Sequence, residues 1–219
     1  MKRALIVYGG WDGHDPKGVA DLFEEILIQE GVSVDKSDTL DAFLGDLSVY
    51  DLIVPIWTMG ALPRECEKNV LNAVANGTGM AGCHGGMCDA FRNSTNWQFM
   101  TGAQWVAHPG NDTVTYTVNI TDKTSPLTVD IPDFSVTSEQ YYILVDPAVK
   151  VYATTTFPVA DGPHVSNGRV DVPVVFTKTW GKGKLYYNSL GHTSQIFKDI
   201  PEAKELMRRG MLYAMREGE

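Results

Sequence analysis

The sequence predicts an α/β protein: an open, mostly parallel sheet with helices on both faces and a β-rich insertion at one edge. Three observations predict it. Apolar strands alternate with amphipathic helices from the N-terminus through His84, the pattern of a parallel sheet joined by right-handed crossovers. The run YDLIVPIW, Tyr50–Trp57, is apolar at consecutive positions, as in a strand covered on both faces. Residues 111–157 change character and hold several short β-type runs separated by turn residues.

Taken in order, Arg3–Tyr8 is a short apolar strand followed by Gly9-Gly10. Lys17–Glu30 places Val19, Leu22, Phe23, Ile26 and Leu27 at helical spacing, and Gly31 ends the helix. Val32–Asp35 is a second strand and Tyr50–Trp57 a third. Pro63–Asn76 is a helix with proline in its first turn and Asn76-Gly77 at its end. Gly79–His84 is a fourth, buried strand that turns on glycines into a helix. The excursion, about 111–171, contains β-type runs at Thr113–Ile120, Phe134–Thr137, Tyr141–Val145 and Val151–Thr155, then a loop at Asp161–Asp171. Val172–Thr179 and Lys184–Leu190 read as an antiparallel pair around Trp180-Gly-Lys-Gly, and Pro201–Arg216 as a closing amphipathic helix. With neither repeat nor linker, residues 1–219 are expected to form one domain.

Composition narrows the function classes. The 219 residues carry 18 basic against 27 acidic side chains, a formal charge of −9. No basic run stands out, so neither a nucleic-acid partner nor an anionic membrane surface is expected. No apolar run approaches the roughly 20 residues of a membrane span, and the N-terminus reads as a strand, not a signal peptide. Three cysteines, Cys66, Cys83 and Cys88, fit no zinc pattern; a reduced, cytoplasmic protein is the simplest expectation.

The informative residues are the histidines, of which there are five. His14 follows the first strand in GGWDGH, His84 ends the fourth in GCHGG, and His192 ends the last core strand in NSLGHT. In an open parallel sheet all three lie at the carboxyl rim, where ligands bind. His108, in WVAHPG, precedes the excursion, and Glu139, in SEQYY, lies within it. His164 sits in a Pro/Gly/Asn turn and reads as a surface residue. The frame Gly82-x-His84-x-Gly86 places an imidazole at the tip of a strand–turn–helix elbow, where hydrolytic α/β enzymes hold a nucleophile. Cys83 is one residue early, and alternation aims it away from the tip. Trp11, Trp57 and Trp105 flank the rim and read equally well as sugar-stacking faces or as packing.

GGWDGH, GCHGG, HPG, SEQYY and GKGKLYYNSLGHT, in this order along nearly the whole chain, resemble the trehalose-utilization (ThuA-like) proteins of the class I glutamine amidotransferase-like superfamily. The resemblance implies a flavodoxin-like fold. It puts His84 at the position of the amidotransferases' elbow cysteine and His192 near that of their base, so thiolate chemistry and amidotransferase activity are not expected. The family's acidic motif reads Asp-Glu-x-Tyr; here Ser138 replaces the aspartate, while Glu139 and Tyr141 keep the pattern. Such proteins are linked to disaccharide breakdown through 3-keto intermediates.

The resulting expectations are these. His84, His192 and Glu139 are the candidate catalytic residues. Trp11, Trp57, Trp105 and Tyr141 are the candidate substrate contacts. His14, His84, His108 and His192 are the candidate ligands of a divalent metal (zinc, manganese or nickel). A histidine acid/base pair without metal is the competing reading, and no nucleotide cofactor is expected. The leading function is cleavage of a 3-keto-glycoside or related oxidised disaccharide. A metal-dependent amide or ester hydrolase and a non-catalytic sugar-binding module are the alternatives. The partner expected is a small-molecule sugar, with assembly into a homo-oligomer left open.

Overall fold

A computed structural model of the chain describes residues 1–217. Its centre is a nine-stranded sheet. Five strands form the parallel half: β1 (Arg3–Gly10), β2 (Ser33–Ser37), β3 (Leu52–Thr58), β4 (Gly79–Cys83) and β11 (Gly183–Asn188), in the order β2-β1-β3-β4-β11. This is the flavodoxin-like 2-1-3-4-5 order, in which the strand sequence reverses between β1 and β3. The remaining four strands, β10 (Val170–Trp180), β9 (Lys150–Phe157), β6 (Thr115–Ile120) and β7 (Phe134–Thr137), continue beyond β11 with antiparallel pairing. The predicted excursion therefore lengthens the sheet at one edge. It also sends β8 (Tyr142–Val145) to pair with β5 (Ala103–Ala107) as a separate two-stranded ribbon.

Alternation along the core strands sorts side chains into two layers. Ala4, Ile6, Leu52, Val54, Ala81 and Tyr186 face one side, packed against the apolar stripes of α1 (Pro16–Gln29), α5 (Ser194–Asp199) and α6 (Pro201–Ala214). Leu5, Val7, Ile53, Met80, Leu185 and Tyr187 face the other, against α2 (Arg64–Ala75), the single turn α3 (Gly85–Cys88) and α4 (Thr95–Thr101). Two covered faces explain why these strands are apolar at consecutive positions. Two elements are additional to the expected ones on the second face: α4, capped by Ser94, whose hydroxyl accepts from Trp97 N–H, and β5 directly after it. Among the described residues, no helix is long and apolar enough to cross a membrane.

Candidate functional site

The carboxyl ends of β1, β3, β4 and β11 deliver a cluster at the point where the strand order reverses. His14 lies on a single helical turn, Asp12–His14, after β1. Its Nδ1 is 2.9 Å from the hydroxyl of Thr58, the last residue of β3. His84 sits at the tip of the elbow between β4 and α3, with φ 47° and ψ −134°, a strained conformation for a residue with a Cβ. The surroundings hold it there. Its N–H donates to the Asn188 carbonyl (2.7 Å), and its carbonyl accepts from the Tyr187 hydroxyl (3.1 Å). Its ring stacks on Tyr141 at 4.0 Å, and its Nδ1 donates to the Ser189 carbonyl at 2.8 Å. His192 lies four residues past the end of β11 rather than in the strand.

Glu139 comes from the antiparallel side, in the crossing between β7 and β8. Its carbonyl accepts from the Tyr116 hydroxyl at 3.0 Å, and the next residue, Gln140, is anchored to Thr155, Thr156 and Val159. Only 5% of Glu139 is exposed. One carboxylate oxygen, Oε2, is the focus of three imidazoles: His84 Nε2 at 3.1 Å, His192 Nδ1 at 3.5 Å and His14 Nε2 at 3.8 Å. One ligand atom from each of His14, His84, Glu139 and His192 lies within 4.8 Å of the others.

Protonation follows from the contacts. A carbonyl can only accept, so His84 Nδ1 carries a proton. Burial lowers the His84 pKa to about 4, which leaves its Nε2 and the carboxylate as two acceptors 3.1 Å apart, a contact that calls for a proton or a cation between them. Burial would raise Glu139, yet the imidazoles of His14, His192 and His84 outweigh it and hold the carboxyl well below the usual range. The same carboxylate raises His192, whose buried Nδ1 has no hydrogen-bond partner. A carboxylate oxygen, a buried ring nitrogen in contact with it and an orphaned nitrogen converge on one small space. Four donors around a tetrahedral zinc would be about 3.3 Å apart, given metal–nitrogen distances of ~2.0–2.1 Å; the three contacts to Glu139 Oε2 lie at 3.1, 3.5 and 3.8 Å, and the whole donor set falls within 4.8 Å. The donor set fits a divalent cation, and neutral imidazole with one carboxylate suits zinc, manganese or nickel alike.

Glycine lets the cluster close. A Cβ on Gly85 would stand 2.6 Å from His14 Nδ1 and 2.7 Å from Thr58 Oγ1. Any side chain there would split the bond that orients His14.

The structure separates the other expected site residues. His108 is not one of the four donors; its Nδ1 faces the other carboxylate oxygen, Glu139 Oε1, at 3.5 Å and has no hydrogen-bond partner. Tyr141 is buried and braces the His84 ring instead of presenting a face to the rim. Trp105 is half-buried, with the Arg92 guanidinium 4.5 Å over its ring and His108 5.4 Å away. Trp57 is half-buried, and a Cβ on Gly9 would meet its ring at 2.6 Å. Trp11 alone of these aromatic residues is broadly open, 47% exposed, with its ring 4.7 Å from that of His14. His164 is half-buried beside the Ala160 carbonyl, outside the cluster. Cys83 is buried, and its thiol is pushed far up by that burial, so it offers no nucleophile. Thr58, Ser189 and Asp15 support the site without having been singled out in the sequence. Thr58 carried a usable signal, since it ends a core strand at the same rim.

Comparisons with known proteins bear on the family and the fold. A family model described as ThuA, trehalose utilisation, matches residues 3–214. A ThuA-like protein from Parabacteroides merdae superposes with a TM-score of 0.76 at 19% identity, covering 100% of this chain and 92% of that one. A ThuA-like protein from Bacteroides uniformis gives 0.75 at 17%, covering 96% and 89%. A β-galactosidase from Bacillus circulans sp. alkalophilus gives 0.65 at 12%, with 97% of this chain matched to 30% of the larger protein. At these identities the structures attest the fold. A comparison with curated proteins found no match.

Proposed function

Because the chain belongs to the trehalose-utilisation (ThuA) family, we propose that it is a sugar-processing enzyme that cleaves a 3-keto-glycoside at the His14–His84–His192–Glu139 cluster. The observation that carries the reading is the convergence of three imidazole nitrogens on one buried carboxylate oxygen. The elbow holds an imidazole in place of a thiol or hydroxyl, and the chemistry is written without a covalent intermediate on the chain.

A ketone at C3 acidifies the proton on C2. Removal of that proton gives an enediolate across C2 and C3. Its electron pair then forms a C1–C2 double bond as the C1–oxygen bond breaks, and the leaving oxygen takes up a proton. Water adds at C1 and C2 is reprotonated, so the net change is hydrolysis and no oxidant is consumed. A divalent cation held by the four donors would act as a Lewis acid toward the ketone and its neighbouring hydroxyl.

The chain's own residues supply the rest. His108, the imidazole outside the four, is the assigned base for the C2 proton, with Glu139 Oε1 beside its Nδ1. Trp11 offers an open aromatic face for the sugar ring beside His14. Tyr141, Tyr187 and the Ser189 carbonyl keep His84 in one orientation, which is the preorganisation that such a site requires.

The test is cleavage of a 3-keto-disaccharide by wild type, His84→Ala and His192→Ala, with and without a chelator. Loss in both variants is expected. Unchanged cleavage in both would sink the proposal, and chelator-insensitive cleavage by wild type would remove the metal from it.

A further inference from the structure

Asp15 follows His14 directly and adopts a left-handed backbone, φ 48° and ψ 50°. Its carboxylate is divided between two helices that begin far apart in sequence. Oδ1 accepts from Gly18 N–H at 3.1 Å and caps α1. Oδ2 accepts from Ser194 N–H at 3.2 Å and from the Ser194 hydroxyl at 2.6 Å. Thr193, at the N-cap position of α5, makes no side-chain cap of its own. The first N–H of α5 is thus capped from the other side of the site, 179 residues away in sequence. Gly18 is part of the same device, since a Cβ there would collide with the Asp15 carboxylate.

Asp15 is next to His14, and Ser194 is two residues after His192. We propose that Asp15 is a positioning residue: its double cap clasps the loop bearing His14 to the loop bearing His192 and sets the separation of those two donors. The clasp rests on the reading of the cluster as a cation site but has geometric consequences without a cation. The two rings have centroids 5.1 Å apart and approach the same Glu139 oxygen. His84 is held by Asn188, Ser189, Tyr187 and Tyr141, none of which touches the clasp through the bonds described above. Two donors therefore share one tether, and the third is fixed independently.

The experiment uses Asp15→Asn, which retains a carbonyl oxygen for the α1 cap but loses the charged acceptor toward Ser194, together with Ser194→Ala, which removes only the hydroxyl. Cobalt(II) is titrated into each metal-free protein and followed by its visible d–d bands, whose energy and intensity report ligand geometry. Asp15→Asn should lose about tenfold or more in cobalt affinity, as outer residues around metal ligands commonly do, with altered bands. Ser194→Ala should show a smaller loss in the same direction. Imidazole 15N chemical shifts of the metal-free proteins give the second readout: His14 and His192 should move in Asp15→Asn while His84 stays. Wild-type cobalt affinity, bands and imidazole shifts in a folded Asp15→Asn would overturn the clasp. If wild type binds no cobalt, the cation reading fails by itself, and the imidazole shifts alone decide on the clasp.

Discussion

Gly85→Ala is the sharpest test of the site, because it changes none of the four donors. The added methyl would lie 2.6 Å from His14 Nδ1, 2.7 Å from His14 Cε1 and 2.7 Å from Thr58 Oγ1. Ordinary carbon contacts begin at about 3.5 Å, so the imidazole or the hydroxyl must retreat by roughly 0.9 Å. Both cannot stay in the 2.9 Å contact that links them. The cost combines overpacking, about 1–3 kcal/mol, with a buried polar pair left short of a partner, about 1–3 kcal/mol; a total near 3 kcal/mol is expected. His14 would also leave its 3.8 Å approach to Glu139, with a tenfold or greater loss of cobalt affinity. Urea denaturation should show a lower midpoint at unchanged slope, and Gly45→Ala, where the nearest neighbour of a Cβ is the Ala42 carbonyl oxygen 3.6 Å away, should change stability by no more than about 0.5 kcal/mol. A Gly85→Ala protein with wild-type stability and cobalt affinity would refute the claim that His14 is seated against this glycine.

Three further outcomes are expected. Because His84 holds a left-handed φ of 47°, His84→Gly should be more stable than His84→Ala by about 1 kcal/mol, although both lose cobalt binding; equal unfolding midpoints would show that the elbow is unstrained. Trp11→Ala should raise KM for the keto-glycoside roughly threefold to tenfold, the scale of one aromatic contact, and leave kcat nearly unchanged; a fall in kcat at constant KM would remove Trp11 from the ground-state contacts. Arg208 holds the Glu205 pKa down to about 2 from an ordinary 4.5. A depressed carboxyl stabilises the fold above its unfolded value and loses that contribution as pH falls from about 4.5 toward 2, so Glu205→Gln should cost about 1 kcal/mol after solvent screening at pH 7 and almost nothing at pH 2, measured by urea midpoints across that range.

Much of this was legible in the chain. The apolar strand runs and helical spacing identified the parallel half because each signal is local. The rule that ligands gather at carboxyl strand ends brought His14, His84 and His192 together in advance. Glu139 could be recognised as a candidate but not seated, since its place depends on how residues 138–141 cross from β7 to β8, a long-range event without a local period. The same limit hid the distinction between His108 and the four donors. The short α4, TNWQFMT, is too brief to show helical periodicity. Asp15, Thr58 and Ser189 act across separations of 179, 44 and 105 residues, and no spacing motif records such partnerships. Trp105 and Tyr141 are aromatic side chains near a rim, and sequence does not distinguish a ring that supports an imidazole from one that meets a sugar.

The carboxylate and the imidazoles arrive on different halves of the sheet. His14, His84 and His192 come with the parallel strands, whereas Glu139 comes with the antiparallel arm. A newly made chain whose arm has not yet docked would hold the three rings without the carboxylate, and so would offer a cation an incomplete donor set. Completion of the four-donor set therefore waits on the pairing of the arm with the parallel half.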